Sequence, residues 1–283
     1  MRTELSQPVT IHGVETPGLP VVVGDVIAIC DDRTGAISDF ERAFASSPAL
    51  ASKVLRVVNS PYLSLPCKIR DLGRAVNYVG FKALREVSLA VGVGEALGVA
   101  EREGPLRDCW RHCIAVGELA RSLSRILGLG HPEDAHAGGI LHDVGAFLLG
   151  ASRPDLPADL AVIVGGGGAE GVQLEQEVLE CSHAALGAEV ARGWGLSAEI
   201  VNAVRLHHEC GPSLLEHPTA LCVHLADYLE NQWQLSGATR ADLAPLNPAA
   251  GEELDFVLGA DGVDELRALT EAGLGWAEEA FSV

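Results

Sequence analysis

Apolar residues recur at helical spacing along most of the chain. In 48–58, Leu50, Val54, Val57 and Val58 fall at i, i+4, i+7 and i+8, the stripe of a helix with one buried face. Asn59-Ser60-Pro61 ends it, because proline disfavours helix in the residue before it. The pattern predicts further helices over 38–46 with Ser38 as cap, 71–79, and 81–97, the last two separated near Gly80. A long helix is expected over 106–127, with Cys109, Trp110, Cys113, Gly117 and Ala120 along one side. Others follow over 133–149, 183–192, from Ser197 through His208, and over 219–231. Residues 21–30 are apolar enough for a strand and are read as the start of a helical region. No fixed-period repeat and no convincing sheet are visible, so the predicted class is all-α.

Breaks in the pattern suggest the organisation. Residues 1–16 read as an irregular lead-in ending at Pro17-Gly18-Leu19-Pro20. The charged stretch 101–105, with Gly104 and Pro105, is a plausible hinge between helical lobes at 17–105 and 106–230. Residues 231–283 form a C-terminal extension with two more expected helices, 251–258 and 264–281. The segment 153–171 contains Gly165-Gly166-Gly167-Gly168 and reads as a mobile surface loop rather than a phosphate cradle.

Composition narrows the class. With 283 residues, 48% hydrophobic and 21% charged, the chain reads as globular and long enough for a large core. No apolar run is long enough to span a bilayer and the start lacks a signal-peptide core, so the expected setting is the cytoplasm. The seven cysteines contain no Cys-x-x-Cys and predict neither a disulfide framework nor a zinc ribbon. A net charge of −19 with three lysines argues against direct nucleic-acid or membrane-surface binding. It leaves room for a small phosphorylated ligand, because bound cations reverse the local field.

The candidate chemistry lies in polar residues on apolar helix faces: His112, His142, Asp143, His183, His207, His208 and Asp227. The central stretch is Gly139-Ile140-Leu141-His142-Asp143-Val144-Gly145, where buried polar groups must be paired or coordinated. Imidazoles with carboxylates suit one or two transition metals, iron or manganese foremost, with Asp143 the candidate catalytic carboxylate. Each also has a plainer reading. His112 can be a satisfied histidine, with Asp108 one turn earlier as the acceptor behind its ring. His207 and His208, about 100° apart on a helix, can be one ligand and one surface residue. Asp227 can bond a backbone amide, and His183 can pack against a loop. His12, His131, His136, His217 and His224 read as structural or surface residues.

The order His112, His142-Asp143, His183, His207-His208, Asp227 resembles the ligand order of the HD superfamily of metal-dependent phosphohydrolases, most closely its HD-GYP branch, which hydrolyses cyclic di-GMP. The run from Ser47 to Ser60, with Lys68-Ile69, Ala75-Val76-Asn77-Tyr78-Val79-Gly80, the His142-Asp143 stretch and His183-Ala184-Ala185-Leu186-Gly187 followed by Trp194, is similar to the HDOD domain, the HD-related output domain of bacterial signalling proteins. The resemblance covers 17–230. It implies a two-lobed all-α fold with an HD-like second lobe and a regulatory, non-catalytic role. The chain departs from that family in keeping a full set of candidate ligands. It departs from HD-GYP in lacking Gly-Tyr-Pro after His207-His208-Glu209 and any lysine near Phe147, leaving Arg205 as the one basic candidate for holding a phosphate. The first expectation is therefore a signalling module that retains a metal site and meets a signalling protein or a small phosphorylated ligand. The alternative is a phosphohydrolase acting on a nucleotide or cyclic dinucleotide. The sequence leaves the oligomeric state open.

Overall fold

The computed structural model describes residues 7–31, 35–60, 63, 65–101, 104–152, 175–177, 180–209, 212–236 and 266. The loop expected at 153–171 and the helices expected at 251–258 and 264–281 lie outside these, apart from Leu266.

Among the described residues the protein is all-α except for one hairpin. Strands β1 (Val9–Ile11) and β2 (Val14–Thr16) pair antiparallel through a two-residue turn at His12 (φ 48) and Gly13 (φ 76). Two successive positive φ angles match the twist of a hairpin. The lead-in expected to be irregular is thus ordered within the described residues. Thr16 Oγ1 donates to the Val9 carbonyl at 2.7 Å, and Trp194 Nε1 donates to the Pro17 carbonyl at 3.0 Å. The second bond ties the N-terminal end to the C-terminal cap of a helix 177 positions later.

Helices α1 (Val21–Asp31), α2 (Ile37–Ala45), α3 (Pro48–Val58) and α4 (Leu72–Ala96) follow. Ser38 lies inside α2, whose cap position is Ala36. The four apolar positions read from 48–58 are those that α3 buries. Asn59 is more than a stop signal. Its side chain donates to the carbonyls of Leu55 (2.7 Å) and Ile69 (2.8 Å) and accepts from the Ile69 amide (2.7 Å), pinning the returning chain against α3. α4 is interrupted at Gly80 (φ 81, ψ 165), the break expected from sequence, where an L side chain would be strained.

After a short turn (Val99–Glu101) come α5 (Pro105–Leu127), α6 (Pro132–Leu141), α7 (Val144–Ser152), α8 (His183–Gly193), α9 (Ala198–Leu206) and α10 (Pro218–Ser236). The single helix expected over 133–149 is two, with His142 and Asp143 in the turn between them. One apolar core built on Phe40, Phe44, Leu50 and Leu89 continues through Ile114, Ile140 and Phe147 to Leu186 and Ile200. A second, built on Leu119, Leu123, Val223 and Leu229, lies between α5 and α10 and takes in Leu266. Among the described residues, no helix is long and apolar enough to cross a membrane.

A candidate metal centre of five histidines and two aspartates

The predicted residues meet. His112 comes from α5, His142-Asp143 from the α6–α7 turn, His183 from the first turn of α8, and Asp227 from α10. His207 and His208 follow the last residue of α9. His207 caps the helix with backbone angles that are still helical (φ −63, ψ −18), yet both rings enter the cluster, their centroids 4.0 Å apart. His142 and His207 are fully buried, and His112, Asp143, His183 and Asp227 are each at most 6% exposed.

The α6–α7 turn can sit so deep because small residues let backbones close on it. A Cβ on Gly139 would lie 2.6 Å from the Gly117 Cα in α5. A Cβ on Gly145 would lie 2.8 Å from the Gly187 nitrogen in α8 and closer still to the His183 carbonyl oxygen. The glycines of the central motif therefore set the depth at which His142 and Asp143 meet His183.

Three imidazoles are fixed by what their Nδ1 atoms do. His142 Nδ1 donates to the Gly139 carbonyl at 2.7 Å and His207 Nδ1 to the Val204 carbonyl at 2.7 Å. His183 Nδ1 donates to Glu175 at 2.7 Å, while the same carboxylate accepts from the His183 amide at 2.8 Å. In the neutral rings each Nε2 therefore carries a lone pair turned into the cluster. His183 Nε2 stands 3.2 Å from His207 Nε2 and 3.1 Å from His208 Nε2. Lone pairs so close repel unless a proton or a cation lies among them. His142 Nε2 is buried without a hydrogen-bond partner, 3.4 Å from Asp143 Oδ2 and 3.6 Å from Asp227 Oδ1.

Two donor groups result, each with ligand atoms within 4.8 Å of one another: His112, His142 and Asp143, and Asp143, His183, His207 and His208. Asp143 belongs to both. Its Oδ2 faces His142, and its Oδ1 lies 3.3 Å from His183 Nε2 and 3.6 Å from His207 Nε2. Asp227 is divided in the same way, with Oδ1 3.1 Å from His112 Nε2 and Oδ2 4.0 Å from His208 Nδ1. Bonds of about 2.1 Å to one ion place neighbouring donors about 3.0 Å apart at right angles and about 3.4 Å apart at tetrahedral angles. The observed spacings bracket that range, so these residues fit a metal.

The electrostatics are those of a pre-paired site. Burial opposes charge on His142, but Asp143, Asp227 and the Gly139 carbonyl outweigh it and raise the pKa to about 9. His183 is raised likewise against burial, by Glu175 and Asp143. Burial, then the neighbouring His142 and His183, lowers His207. Burial together with His207 pushes His208 down to about 2. Against their own burial, Asp143 and Asp227 are held well below the usual carboxylate range, Asp143 by His142, His207 and His183, and Asp227 by His112 and His142.

Asp108 and Arg205 are exposed, and the carboxylate facing His112 Nε2 is that of Asp227. The sequence reading missed Glu175. Glu175 lies among other acids, Glu177 and Glu180, with nothing in spacing to single it out. His224 is buried and its Nδ1 donates to the His207 carbonyl at 2.6 Å.

Comparison with known proteins agrees with this architecture. A Treponema pallidum protein is 24% identical over 207 residues, 73% of this chain and 40% of its own length. This chain thus spans well under half of that relative. Two crystal structures share the fold at low identity. A Shewanella amazonensis protein provisionally named a phosphohydrolase gives TM-score 0.72 at 21% identity, covering 93% of this chain and 94% of its own. A Marinobacter aquaeolei protein provisionally named a signal transduction protein gives TM-score 0.74 at 20% identity, covering 94% and 60%. The HDOD domain matches residues 16–210, well over half of the sequence, and the chain belongs to the HDOD family.

Proposed function

We propose that the chain is a regulatory HDOD module that holds one or two transition-metal ions, iron or manganese, on His112, His142, Asp143, His183, His207, His208 and Asp227. The carrying observation is the convergence of three imidazole Nε2 atoms, His183, His207 and His208, within 3.2 Å steps of one another beside a shared carboxylate. The regulatory reading comes first because the cluster consists of imidazoles and carboxylates only, with Arg205 exposed and no Gly-Tyr-Pro segment. The signal-transduction name of the Marinobacter structure supports a signalling protein as partner. The cytoplasmic setting and a division into lobes near 101–105, where Gly104 has φ 61, belong to the same proposal.

One observation favours a second reading. Asp143 offers one oxygen to each donor group, as a carboxylate bridging two ions would. Two ions held by these groups would supply a nucleophile and charge stabilisation for phosphoryl transfer. The chain's own part is then to keep Asp143 unprotonated and to hold the His142, His183 and His207 rings by their Nδ1 bonds. The phosphohydrolase name of the Shewanella structure is consistent with that chemistry.

Metal analysis of protein purified without chelator or affinity-column metal tests the site. Bound iron or manganese that is lost in Asp143→Ala is expected, and metal-free wild type refutes it. Bis-nitrophenyl phosphate with added manganese separates the two readings. Hydrolysis by wild type and none by Asp143→Ala establishes the enzyme, and metal without hydrolysis leaves the regulatory module.

A further inference from the structure

Helix α10 carries three polar residues in a line. His224, Asp227 and Asn231 fall at i, i+3 and i+7, within about 60° of one another around the helix. Asp227 stands between His112 and His208, and Asn231 Nδ2 donates to its Oδ1 at 2.8 Å. His224, one turn earlier, is 8% exposed and lies outside the two donor groups. Its Nδ1 donates to the His207 carbonyl at 2.6 Å. Its Nε2 is buried and has no hydrogen-bond partner among the described residues. A buried imidazole with one nitrogen unused is a costly way to fill space, so its other nitrogen is the reason for the ring.

The acceptor of that bond is well placed to matter. His207 caps α9, and the last carbonyls of a helix find no amide within the helix. The peptide plane that carries the His207 carbonyl runs on to the Cα of His208, so a bond to its oxygen orients both residues. The His207 ring is held from the other side by the Val204 carbonyl at 2.7 Å. Successive residues at a helix end ordinarily point about 100° apart. Here the Nε2 atoms of His207 and His208 both reach His183 Nε2, at 3.2 and 3.1 Å. A turn of the 207–208 peptide would carry one ring or the other out of the cluster.

We infer that His224 is a positioning residue of the centre, a role that rests on reading the cluster as a metal site. Its Nδ1–H sets the 207–208 peptide so that both rings present Nε2 beside His183 and Asp143. Because Asp227 lies one turn further along α10, the same helix ties the His207–His208 pair to the carboxylate that faces His112.

The test uses the full chain and manganese alone, with two substitutions of equal branching. His224→Asn keeps an N–H close to the Nδ1 position, and His224→Leu has no donor. His224→Leu should weaken manganese binding about tenfold in competition against a chelating dye, and His224→Asn should stay within about threefold of wild type. In chelator, hydrogen exchange over residues 204–209 should be faster in His224→Leu and near wild type in His224→Asn. Leu225→Ala, which removes buried apolar bulk from the same helix, should lower the melting temperature and leave manganese affinity unchanged. Should His224→Leu fail to fold, His224→Gln, whose N–H sits at the Nε2 position, takes its place with the same expected results. Wild-type manganese affinity in His224→Leu overturns the inference, as does an equal loss in Leu225→Ala. Wild type that takes up no manganese fails the metal reading, and exchange alone then decides whether His224 holds the 207–208 backbone. Unchanged exchange in His224→Leu overturns that too.

Discussion

Gly145 offers a sharp test of how the cluster is held. It starts α7 directly against the first turn of α8, and the atoms facing it are backbone: the His183 carbonyl and the Gly187 nitrogen. In Gly145→Ala the new methyl has no flexible side chain to push aside. The two helices must separate by about 1 Å, which places the cost at the top of the usual overpacking range, about 3 kcal/mol. For a chain of this size each kcal/mol corresponds to about 2–4 °C, so melting should fall by about 6–12 °C. His183 moves with its carbonyl, so metal retention should fall with stability. Gly24, inside α1, is the matched control, because a Cβ there meets nothing within 4 Å. Gly24→Ala should stabilise by about 0.5–1 kcal/mol through helix propensity. Differential scanning calorimetry of both variants decides it. A Gly145→Ala protein that melts like wild type, or a Gly24→Ala protein that melts lower, would refute the packing argument.

Three further outcomes follow. Glu175→Gln weakens the acceptor behind His183 Nδ1 and should lower metal affinity about 10- to 100-fold with the fold intact, read by competition against a chelating dye. Metal must displace protons from His142, whose pKa is raised to about 9, so affinity should climb as pH goes from about 6 to about 9; flat affinity would contradict the ligand role. His136 lies 3.2 Å from both Glu86 and Glu118, which outweigh its burial and the charge of Arg121 and raise its pKa. Its folded pKa exceeds the unfolded value, so its stabilisation is complete below about pH 6.5 and is lost as pH rises through the folded value. In chelator, the melting difference between wild type and His136→Gln should therefore narrow with rising pH; a widening gap would show the sign to be wrong.

The group around His136 shows where sequence reading stops. His136, Glu86, Glu118 and Arg121 form a buried cluster joining α4 to α5 and α6. Arg121 Nη1 lies 3.1 Å from Glu86, and Arg121 Nη2 bonds Glu118. None of the four stands out in its own helix. A glutamate on α4 looks like any solvated charge until α6 lies across it, and His136 acquires its carboxylates only through that packing. The candidate donor residues were legible because His142 and Asp143 sit in a run otherwise apolar, and because the others break helical stripes one at a time. Helix placement was legible for the same reason at α3, which buries one face, whereas α5 is buried all round over 112–120. What failed was local geometry that periodicity does not encode: the turn that splits 133–149 at His142-Asp143, and the helix end that lets His207 and His208 act together. The hairpin was missed although Val-Thr-Ile-His-Gly-Val-Glu-Thr alternates and centres on a glycine, because the eye for helices reads eight residues as lead-in.

The two buried clusters also differ in a way that separates site from scaffold. Around Arg121 each cation faces a carboxylate, and with His136 protonated the charges of the four side chains cancel. Truncating Arg121 would leave two buried acids with one partner, a change that ordinarily costs about 3–5 kcal/mol. Such a group is neutral as it stands, although His136 Nδ1 too is buried without a hydrogen-bond partner, 3.2 Å from Glu86. Around Asp143 the balance is different. Imidazole nitrogens face other imidazole nitrogens, and His142 Nε2 is buried with no hydrogen-bond partner although two carboxylates lie within 3.6 Å. A scaffold has no use for three ring nitrogens pressed together when hydrogen-bonded or apolar side chains would fill the same space at lower cost. A proton or a cation relieves the repulsion among those rings, and the facing of imidazole nitrogens on one another, which the Arg121 cluster lacks, is the physical ground for reading the second as a metal centre.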